Sequence, residues 1–167
     1  MSNPSTGDSS GDSIENLSQE NRQFPPSPAF AAQANAKSDL YARAEKDRLA
    51  FWEEQARELT WDKSWETVLE WNSPYAKWFI GGKINASVNA LDRHVAAGRG
   101  DRTAFHFEGE PGDTRTITYA QMLADVSKAA HALTQIGIKA GDRVAIYMPM
   151  IPEAAVAMLA CARIGAV

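Results

Sequence analysis

GDRVAIYMPMIPEAAVAMLACARIGAV, residues 141–167, is the stretch that decides the fold class of this chain. Residues 144–148 are apolar on both faces, which is typical of a strand that helices cover on both sides. Pro152 can occupy the first position of a helix without losing a hydrogen bond, and the pattern predicts a helix from Pro152 to Ile164. The last two residues are then expected to enter a parallel strand that is reached by a right-handed crossover.

A β-hairpin and a helix are predicted immediately upstream. Residues 103–108 alternate in character, a Gly-Glu-Pro-Gly-Asp turn follows, and residues 115–118 return as a second strand. Thr118 can cap the next helix, because Gln121, three residues later, can reach back to the cap. The predicted helix ends at Gly137, and its buried stripe consists of Met122, Leu123, Val126, Ala130 and Leu133.

Residues 96–167 therefore read as strand, strand, helix, strand, helix, the β-β-α-β-α beginning of an α/β domain. One or two parallel strands cannot make a sheet that helices cover, and they leave an unpaired edge. We therefore expect the α/β domain to be incomplete within these 167 residues.

The N-terminal part of the chain differs in composition. Residues 1–22 contain six serines, two glycines, four acids and one base, and they hold few apolar groups that could offset the entropy of ordering. The Phe-Pro-Pro-Ser-Pro stretch at 24–28 resists helix and favours extended backbone. We interpret residues 1–37 as a disordered acidic tail followed by a Pro-rich strap.

Residues 38–95 are interpreted as a helical, Trp-rich extension. Leu49, Trp52, Ala56 and Leu59 recur at helical spacing and predict an amphipathic helix of roughly 20 residues, and residues 85–95 predict another. All five tryptophans lie in one segment, namely Trp52, Trp61, Trp65, Trp71 and Trp78. We favour a packing role for them, the alternative being a carbohydrate or base-stacking surface.

Charge and composition argue against several kinds of partner. The net charge is -4, so the chain offers no basic footprint for nucleic acid or for an anionic membrane. The longest apolar run, residues 154–162, is nine residues long, about half of what a membrane span requires. The first 13 residues lack the basic and apolar regions of a secretory signal. The single cysteine, Cys161, is compatible with a reducing compartment, and we expect a cytoplasmic protein.

Titratable residues form no short-spaced metal or catalytic pattern. His94, His106 and His131 are widely separated, so no zinc site is predicted. His94 could be catalytic, but a structural role at a helix end is the favoured interpretation. Cys161 lies among small apolar residues, which favours an inert buried thiol.

Two short segments resemble binding loops only superficially. Gly81-Gly82-Lys83 lacks the GxxxxGK[ST] spacing of a phosphate loop, so a plain turn is favoured. Glu110 and Asp113 are explained by a solvated hairpin tip. We therefore assign no catalytic, cofactor-binding or metal-binding residue from the sequence.

Three stretches resemble AMP-forming acetyl-CoA synthetases, members of the acyl-adenylate-forming enzyme superfamily. The 141–167 run is similar to the early adenylating domain of this family, as are Leu91-Asp-Arg-His-Val95 and residues 100–119. Residues 38–95, with Phe51-Trp52 and Trp61 to Trp65, resemble its N-terminal extension. The chain departs from the family pattern at Asn85-Ala-Ser-Val-Asn-Ala90, where an aromatic residue and a cysteine are more usual.

The resemblance implies a fold and a reaction. The fold is the incomplete N-terminal part of a large adenylate-forming domain, beginning at residue 96. The family activates acetate with ATP and Mg2+ to acetyl-AMP and pyrophosphate, then transfers the acetyl group to coenzyme A. The family's phosphate loop and coenzyme A contacts belong after Val167, so the 167-residue chain alone is expected to be inactive. The alternatives are a stand-alone interaction module derived from the synthetase N-terminus and a fragment of a propionyl-CoA synthetase.

Overall fold

A computed structural model describes residues 23–167, which divide into two units between Ala42 and Arg43. The tail predicted at residues 1–22 lies outside the described residues. In the first unit, helix α1 spans Pro28–Gln33 and begins where the hydroxyl of Ser27 accepts a hydrogen bond from the Phe30 amide at 3.3 Å. The extended strap predicted through residue 37 is therefore wrong over α1, because Pro28 fits the first helical position.

Two helices replace the single amphipathic helix predicted after residue 38. Helix α2 spans Asp39–Lys46 and helix α3 spans Arg48–Arg57. Asp47 interrupts them with extended backbone, and its Oδ1 accepts a hydrogen bond from the Ala50 amide at 2.9 Å. An aspartate side chain competes for backbone donors and favours helix caps over helix interiors, which explains the break.

The Trp-rich extension is not wholly helical, contrary to the prediction. Strands β1 (Thr67–Asn72) and β2 (Tyr75–Ile80) form an antiparallel hairpin with Leu69 opposite Trp78. β-Branched and aromatic side chains suit a pleated surface, and this preference prevails over the helical expectation for the segment. The two residues between the strands, Ser73 and Pro74, are joined by a cis peptide bond.

A short helical segment follows the hairpin, and much of it has π-helical hydrogen bonding. The π-helical stretches are Val88–Asp92 and Val95–Arg99. The segment starts at Asn85, whose Oδ1 accepts hydrogen bonds from the amides of Ser87 and Val88 at 2.9 and 3.2 Å. Gly98, with φ of 74°, interrupts the helical backbone, and the segment continues to Arg99, beyond the helix predicted at residues 85–95.

The second hairpin and its helix lie where the sequence predicts them. Strands β3 (Thr103–Glu108) and β4 (Thr114–Thr118) are antiparallel, and helix α4 (Tyr119–Gln135) follows at once. Thr118 and Gln121 form the predicted reciprocal cap, with N···O distances of 2.9 and 3.2 Å.

The strand predicted at residues 144–148 is not formed as a strand. The backbone there has no regular secondary structure, although helix α5 (Pro152–Ile164) begins and ends as predicted. Val167 donates to the Asp142 carbonyl and accepts from the Val144 amide, both at 2.8 Å. These two bonds flank Arg143 as in a parallel ladder. The two bonds form one bridge, between Arg143 and Val167, whereas a strand needs a series of such bridges. Residues 145–148 therefore have no strand partner within the described residues.

The buried core lies between α4, α5 and the π-helical segment. Its members are Leu91, Met122, Val126, Ala130 and Ala160, all at most 5% exposed. Three of them fall on the apolar stripe predicted for α4. The result is a mixed helix and strand architecture, consistent with the N-terminal part of an adenylate-forming domain.

Candidate functional site

The aromatic residues of the extension pack mainly against one another. The ring centroids of Trp61 and Trp65 are 4.9 Å apart, and the Phe79 ring lies 5.6 and 5.2 Å from them. Trp61 Nε1 donates to the Ala56 carbonyl at 2.8 Å. This geometry supports the packing interpretation for these rings. Trp71, at 61% exposed, lies outside that cluster, with the Arg48 guanidinium 5.7 Å from its ring.

In the Gly81-Gly82-Lys83 turn after β2, the backbone groups of Gly82 and Lys83 form hydrogen bonds with other residues of the protein. Gly82 donates its amide to the Phe79 carbonyl at 3.1 Å, and Lys83 exchanges backbone hydrogen bonds with Lys63. A Cβ on Gly82 would come within 2.7 Å of the Trp61 ring. The glycine here permits a close approach of backbone and indole, which is a structural role.

The acidic turn at residues 109–113 is closed by backbone hydrogen bonds and faces solvent. Gly109 donates to the Asp113 carbonyl at 2.7 Å, and Gly112 donates to the Gly109 carbonyl at 2.9 Å. Glu110 and Asp113 are exposed. This placement agrees with a solvated hairpin tip.

The three histidines lie on different elements. His94 belongs to the π-helical segment, His106 is an exposed residue of β3, and His131 is an exposed residue of α4. Cys161 is buried in α5. Within residues 23–167, no three His, Cys, Asp or Glu side chains come together as potential metal ligands.

One concave surface has a distinctive charge, and we call it the basic cavity. It has a volume of about 410 Å3 and is lined by His94, Arg99, Arg102, Thr103 and Tyr119. Arg99 Nη2 lies 2.8 Å from His94 Nδ1, and the Tyr119 ring lies 5.4 Å from the imidazole. A guanidinium can only donate, so Nδ1 accepts and the neutral imidazole carries its proton on Nε2.

Electrostatics in the basic cavity favour neutral His94. Desolvation lowers the pKa of His94, and the positive charges of Arg99 and Arg93 lower it further. The cavity lining contains two arginines and no carboxylate. The lining of the basic cavity therefore has an excess of positive charge.

Backbone contacts hold the loop of the basic cavity against α4. Tyr119 donates its amide to the Arg102 carbonyl at 3.0 Å, and Ala120 donates to the Gly100 carbonyl at 2.9 Å. Sequence reasoning assigned no role to residues 98–102 and missed this arrangement. The sequence signal that could have indicated a basic site is the pair of arginines, Arg99 and Arg102, a few residues after His94.

A second cleft has balanced charge. It has a volume of about 520 Å3 and is lined by parts of β4 and α4, including Arg115, Asp125 and Lys128. Arg115 donates two hydrogen bonds to the Glu153 carboxylate, at 2.7 and 3.0 Å. The hydrogen bond from Arg115, followed by a backbone hydrogen bond, lowers the pKa of Glu153 to about 2.

A half-buried ion pair ties the π-helical segment to α5. Arg163 donates two hydrogen bonds to the Asp92 carboxylate, both at 2.8 Å. Asn85 Nδ2 donates to the Arg163 carbonyl at 3.0 Å. The hydrogen bond from Arg163 lowers the pKa of Asp92 although desolvation opposes it. Sequence reasoning missed this pair because its residues are 71 positions apart.

Two family descriptions match adjoining parts of the chain. The acetyl-coenzyme A synthetase N-terminus matches residues 37–90, and the AMP-binding enzyme family matches residues 92–167. The chain belongs to the acetyl-coenzyme A synthetase family. The two matched segments of this synthetase-family chain contact each other through Asn85 and Arg163, and through Arg93 Nη1, which donates to the Glu58 carbonyl at 2.7 Å.

Relatives named acetyl-coenzyme A synthetase match most of this chain. The protein of Mycolicibacterium smegmatis is 65% identical over 85% of the chain and 15% of its own length. That of Streptomyces avermitilis is 59% identical over 94% of the chain and 24% of its own length. That of Deinococcus radiodurans is 50% identical over 93% of the chain and 25% of its own length. The chain thus spans a quarter or less of these relatives. Within residues 23–167, none of the helices is both long and apolar enough to cross a bilayer.

Proposed function

We propose that this chain is the N-terminal portion of an AMP-forming acetyl-CoA synthetase. The complete protein would activate acetate with ATP to acetyl-AMP and pyrophosphate, and would then pass the acetyl group to the thiol of coenzyme A. The observation that carries the proposal is the identity of 50–65% to proteins of that name, across both matched segments. Acetate, ATP and coenzyme A are the partners it implies.

The role proposed for these 167 residues is structural support of the catalytic domain. The Asp92–Arg163 pair and the Asn85–Arg163 contact fix α5 against the π-helical segment. That placement brings Val167 beside Asp142 and Val144 as the beginning of a parallel pair. We propose domain boundaries near residues 38 and 96, as the sequence analysis predicts, with the extension bracing the first helices of the adenylating domain.

The chain by itself is proposed to be inactive. The family reaction needs a Gly-, Ser- and Thr-rich loop with a lysine to hold phosphates, and no such run occurs in the 167 residues. Within residues 23–167 no three His, Cys, Asp or Glu side chains come together as potential metal ligands, and we assign no Mg2+ ligand among them. We therefore derive no catalytic step through the metal from these residues.

A chimera tests the proposal directly. The segment of the Mycolicibacterium smegmatis synthetase that matches this chain would be replaced by the matching residues of this chain, and acetyl-CoA formation from acetate, ATP and coenzyme A would be measured. We expect activity in the chimera and none in the isolated 167-residue chain or in the relative lacking the segment. A folded but inactive chimera, or acetate-dependent pyrophosphate exchange by the isolated chain, would contradict the proposal.

A stand-alone interaction module is the second candidate. Large apolar side chains near α5 are exposed, with Tyr147 fully accessible and Met150 95% accessible, and a partner could cover them. Stable folding and monodisperse binding to an intact synthetase subunit by the isolated chain, without activity in the chimera, would favour the module. Propionate turnover faster than acetate turnover in the chimera would instead favour the propionyl-CoA synthetase alternative.

A cytoplasmic location accompanies the main proposal. The single cysteine, Cys161, is buried and unoxidised, which is compatible with a reducing compartment and supports this location.

A further inference from the structure

We propose that the basic cavity, lined by His94, Arg99, Arg102, Thr103 and Tyr119, binds a small anion that carries a phosphate group. This proposal does not depend on the synthetase assignment, because it rests only on the geometry and charge of residues in this chain. The cavity volume of about 410 Å3 lies within the range of about 300–1,000 Å3 that is usual for ligand pockets.

The charge of the lining selects for an anion. Arg99 and Arg102 contribute two positive charges, and every other lining residue is neutral or a hydrogen-bond donor. Of the neighbouring carboxylates, Asp92 is paired with Arg163, and Asp101 is not among the residues that line the cavity. Arg93 adds its positive charge to the field at His94.

Arg102 is the cation best placed to take a new partner. Within residues 23–167 its guanidinium makes no hydrogen bond or ion pair, whereas its carbonyl is fixed by the Tyr119 amide at 3.0 Å. The backbone is thus anchored while the planar donor group is available. A guanidinium binds phosphate oxygens in a bidentate manner and is preferred over an ammonium for that purpose.

His94 and Arg99 supply preorganised donors. Arg99 is held at 2.8 Å from His94 Nδ1, so the side chain that would contact the anion already has a fixed position. The neutral imidazole keeps its Nε2–H, and Thr103 and Tyr119 each add a hydroxyl. Several donors and no acceptor-only group converge on one concave surface, which fits the three oxygens of a phosphate group.

The second cleft provides an internal comparison. It is larger, at about 520 Å3, but its cations already have partners. Arg115 is bound by Glu153, and Lys128 lies 3.9 Å from the Asp125 carboxylate. A phosphate entering that cleft would have to compete with carboxylates, so we expect it to prefer the basic cavity.

The test is an NMR titration of the 167-residue chain at constant ionic strength. The probes are inorganic phosphate, pyrophosphate, adenosine 5′-monophosphate and adenosine, and the readout is the chemical shift of the His94 imidazole nitrogens. We expect saturable shifts with the three phosphate-bearing probes and none with adenosine. Equal shifts with adenosine and its monophosphate, or shifts that never saturate, would overturn the proposal.

Two charge-matched variants complete the design. Arg102→Gln should weaken phosphate binding about tenfold, since a charge-assisted bidentate contact is lost. Lys128→Gln removes the same charge from the second cleft and should change binding less than about twofold. Equal weakening by both variants would show a general charge effect and overturn the site. If Arg102→Gln does not fold, Arg102→Lys serves in its place, and it should bind less tightly than the original chain; unchanged binding in that variant would also count against the site.

Discussion

The aromatic hairpin region, residues 48–83, and the helix-pair region, residues 103–167, are stabilised in different ways. In the hairpin region large rings contact each other within a short stretch of sequence, and Trp71 and Trp78 remain exposed. In the helix-pair region small and medium side chains from distant positions meet, and Met122 and Val126 are completely buried. The amount of apolar surface in a segment therefore does not by itself show where the buried core lies.

The ion pairs differ in the same way. In the hairpin region Lys63 pairs with Glu66 and Arg57 pairs with Glu53, three and four residues apart. In the helix-pair region Lys128 and Asp125 are likewise three residues apart, but Arg115 reaches Glu153 across 38 positions and Arg163 reaches Asp92, in the π-helical segment, across 71. Local pairs can form in the unfolded chain, whereas long-range pairs require the tertiary fold.

The largest expected effect is the loss of a buried side chain from the helix pair. Met122→Ala should lower the free energy of unfolding by about 2–5 kcal/mol, because a fully buried side chain is removed and a cavity remains. Trp71→Ala removes a bulkier side chain that is 61% exposed, and should cost about 1 kcal/mol or less. Urea denaturation followed by circular dichroism measures both. An equal loss in the two variants would remove the distinction between the regions.

Local sequence signals predicted the part of the fold that local interactions build. The cap at Thr118 and Gln121 and the left-handed end of α5 at Gly165 follow from side-chain chemistry within three residues or from one glycine. The hairpin β1–β2 was not predicted, because its Ser73-Pro74 connection lacks the usual Asn-Gly signal.

Features that depend on distant partners were beyond the reach of sequence patterns. Residues 144–148 have strand-like composition, but a strand exists only when a ladder partner is present. The basic cavity combines two residues of the π-helical segment, His94 and Arg99, with Arg102 of the following turn, and their convergence depends on how that turn docks on α4. Hydrophobic periodicity carries no information about such convergence.

A smaller effect is expected from the backbone of the hairpin. Phe79 has a φ of 52°, in the left-handed region that is strained for residues other than glycine. Its ring contacts Trp61 and Trp65. Both Phe79→Ala and Phe79→Gly lose these contacts, but only glycine relieves the backbone. Phe79→Gly should therefore be more stable than Phe79→Ala by about 1 kcal/mol in urea denaturation.

Ala76, in the same strand, provides the control for that comparison. It does not share the positive φ, so Ala76→Gly should lower stability by about 0.5–1 kcal/mol, the ordinary cost of glycine in a strand. If glycine is the less stable choice at both positions, the aromatic contacts of the hairpin do not hold Phe79 in a strained backbone.

The smallest expected effect is the acid dependence of the long-range pair. The Arg115 hydrogen bond lowers the pKa of folded Glu153 to about 2, below the ordinary value of 4.5. A group whose folded pKa is depressed stabilises the fold above its unfolded pKa and loses that contribution as pH falls through the folded value. The contribution of Glu153 should thus be complete above about pH 4.5 and decline toward about pH 2. Solvent exposure of both side chains keeps it small.

Glu66 provides the matched comparison from the hairpin region. A hydrogen bond from Lys63 lowers its pKa as well, but the two residues are only three positions apart and the pairing can persist in the unfolded chain. Thermal unfolding between about pH 2 and 6 measures how the melting temperature falls as the pH is lowered. This fall should be smaller in Glu153→Gln than in the original chain, and unchanged in Glu66→Gln. If Glu66→Gln reduces the pH dependence of the melting temperature as much as Glu153→Gln does, separation along the sequence does not decide which ion pairs stabilise the folded state of this protein.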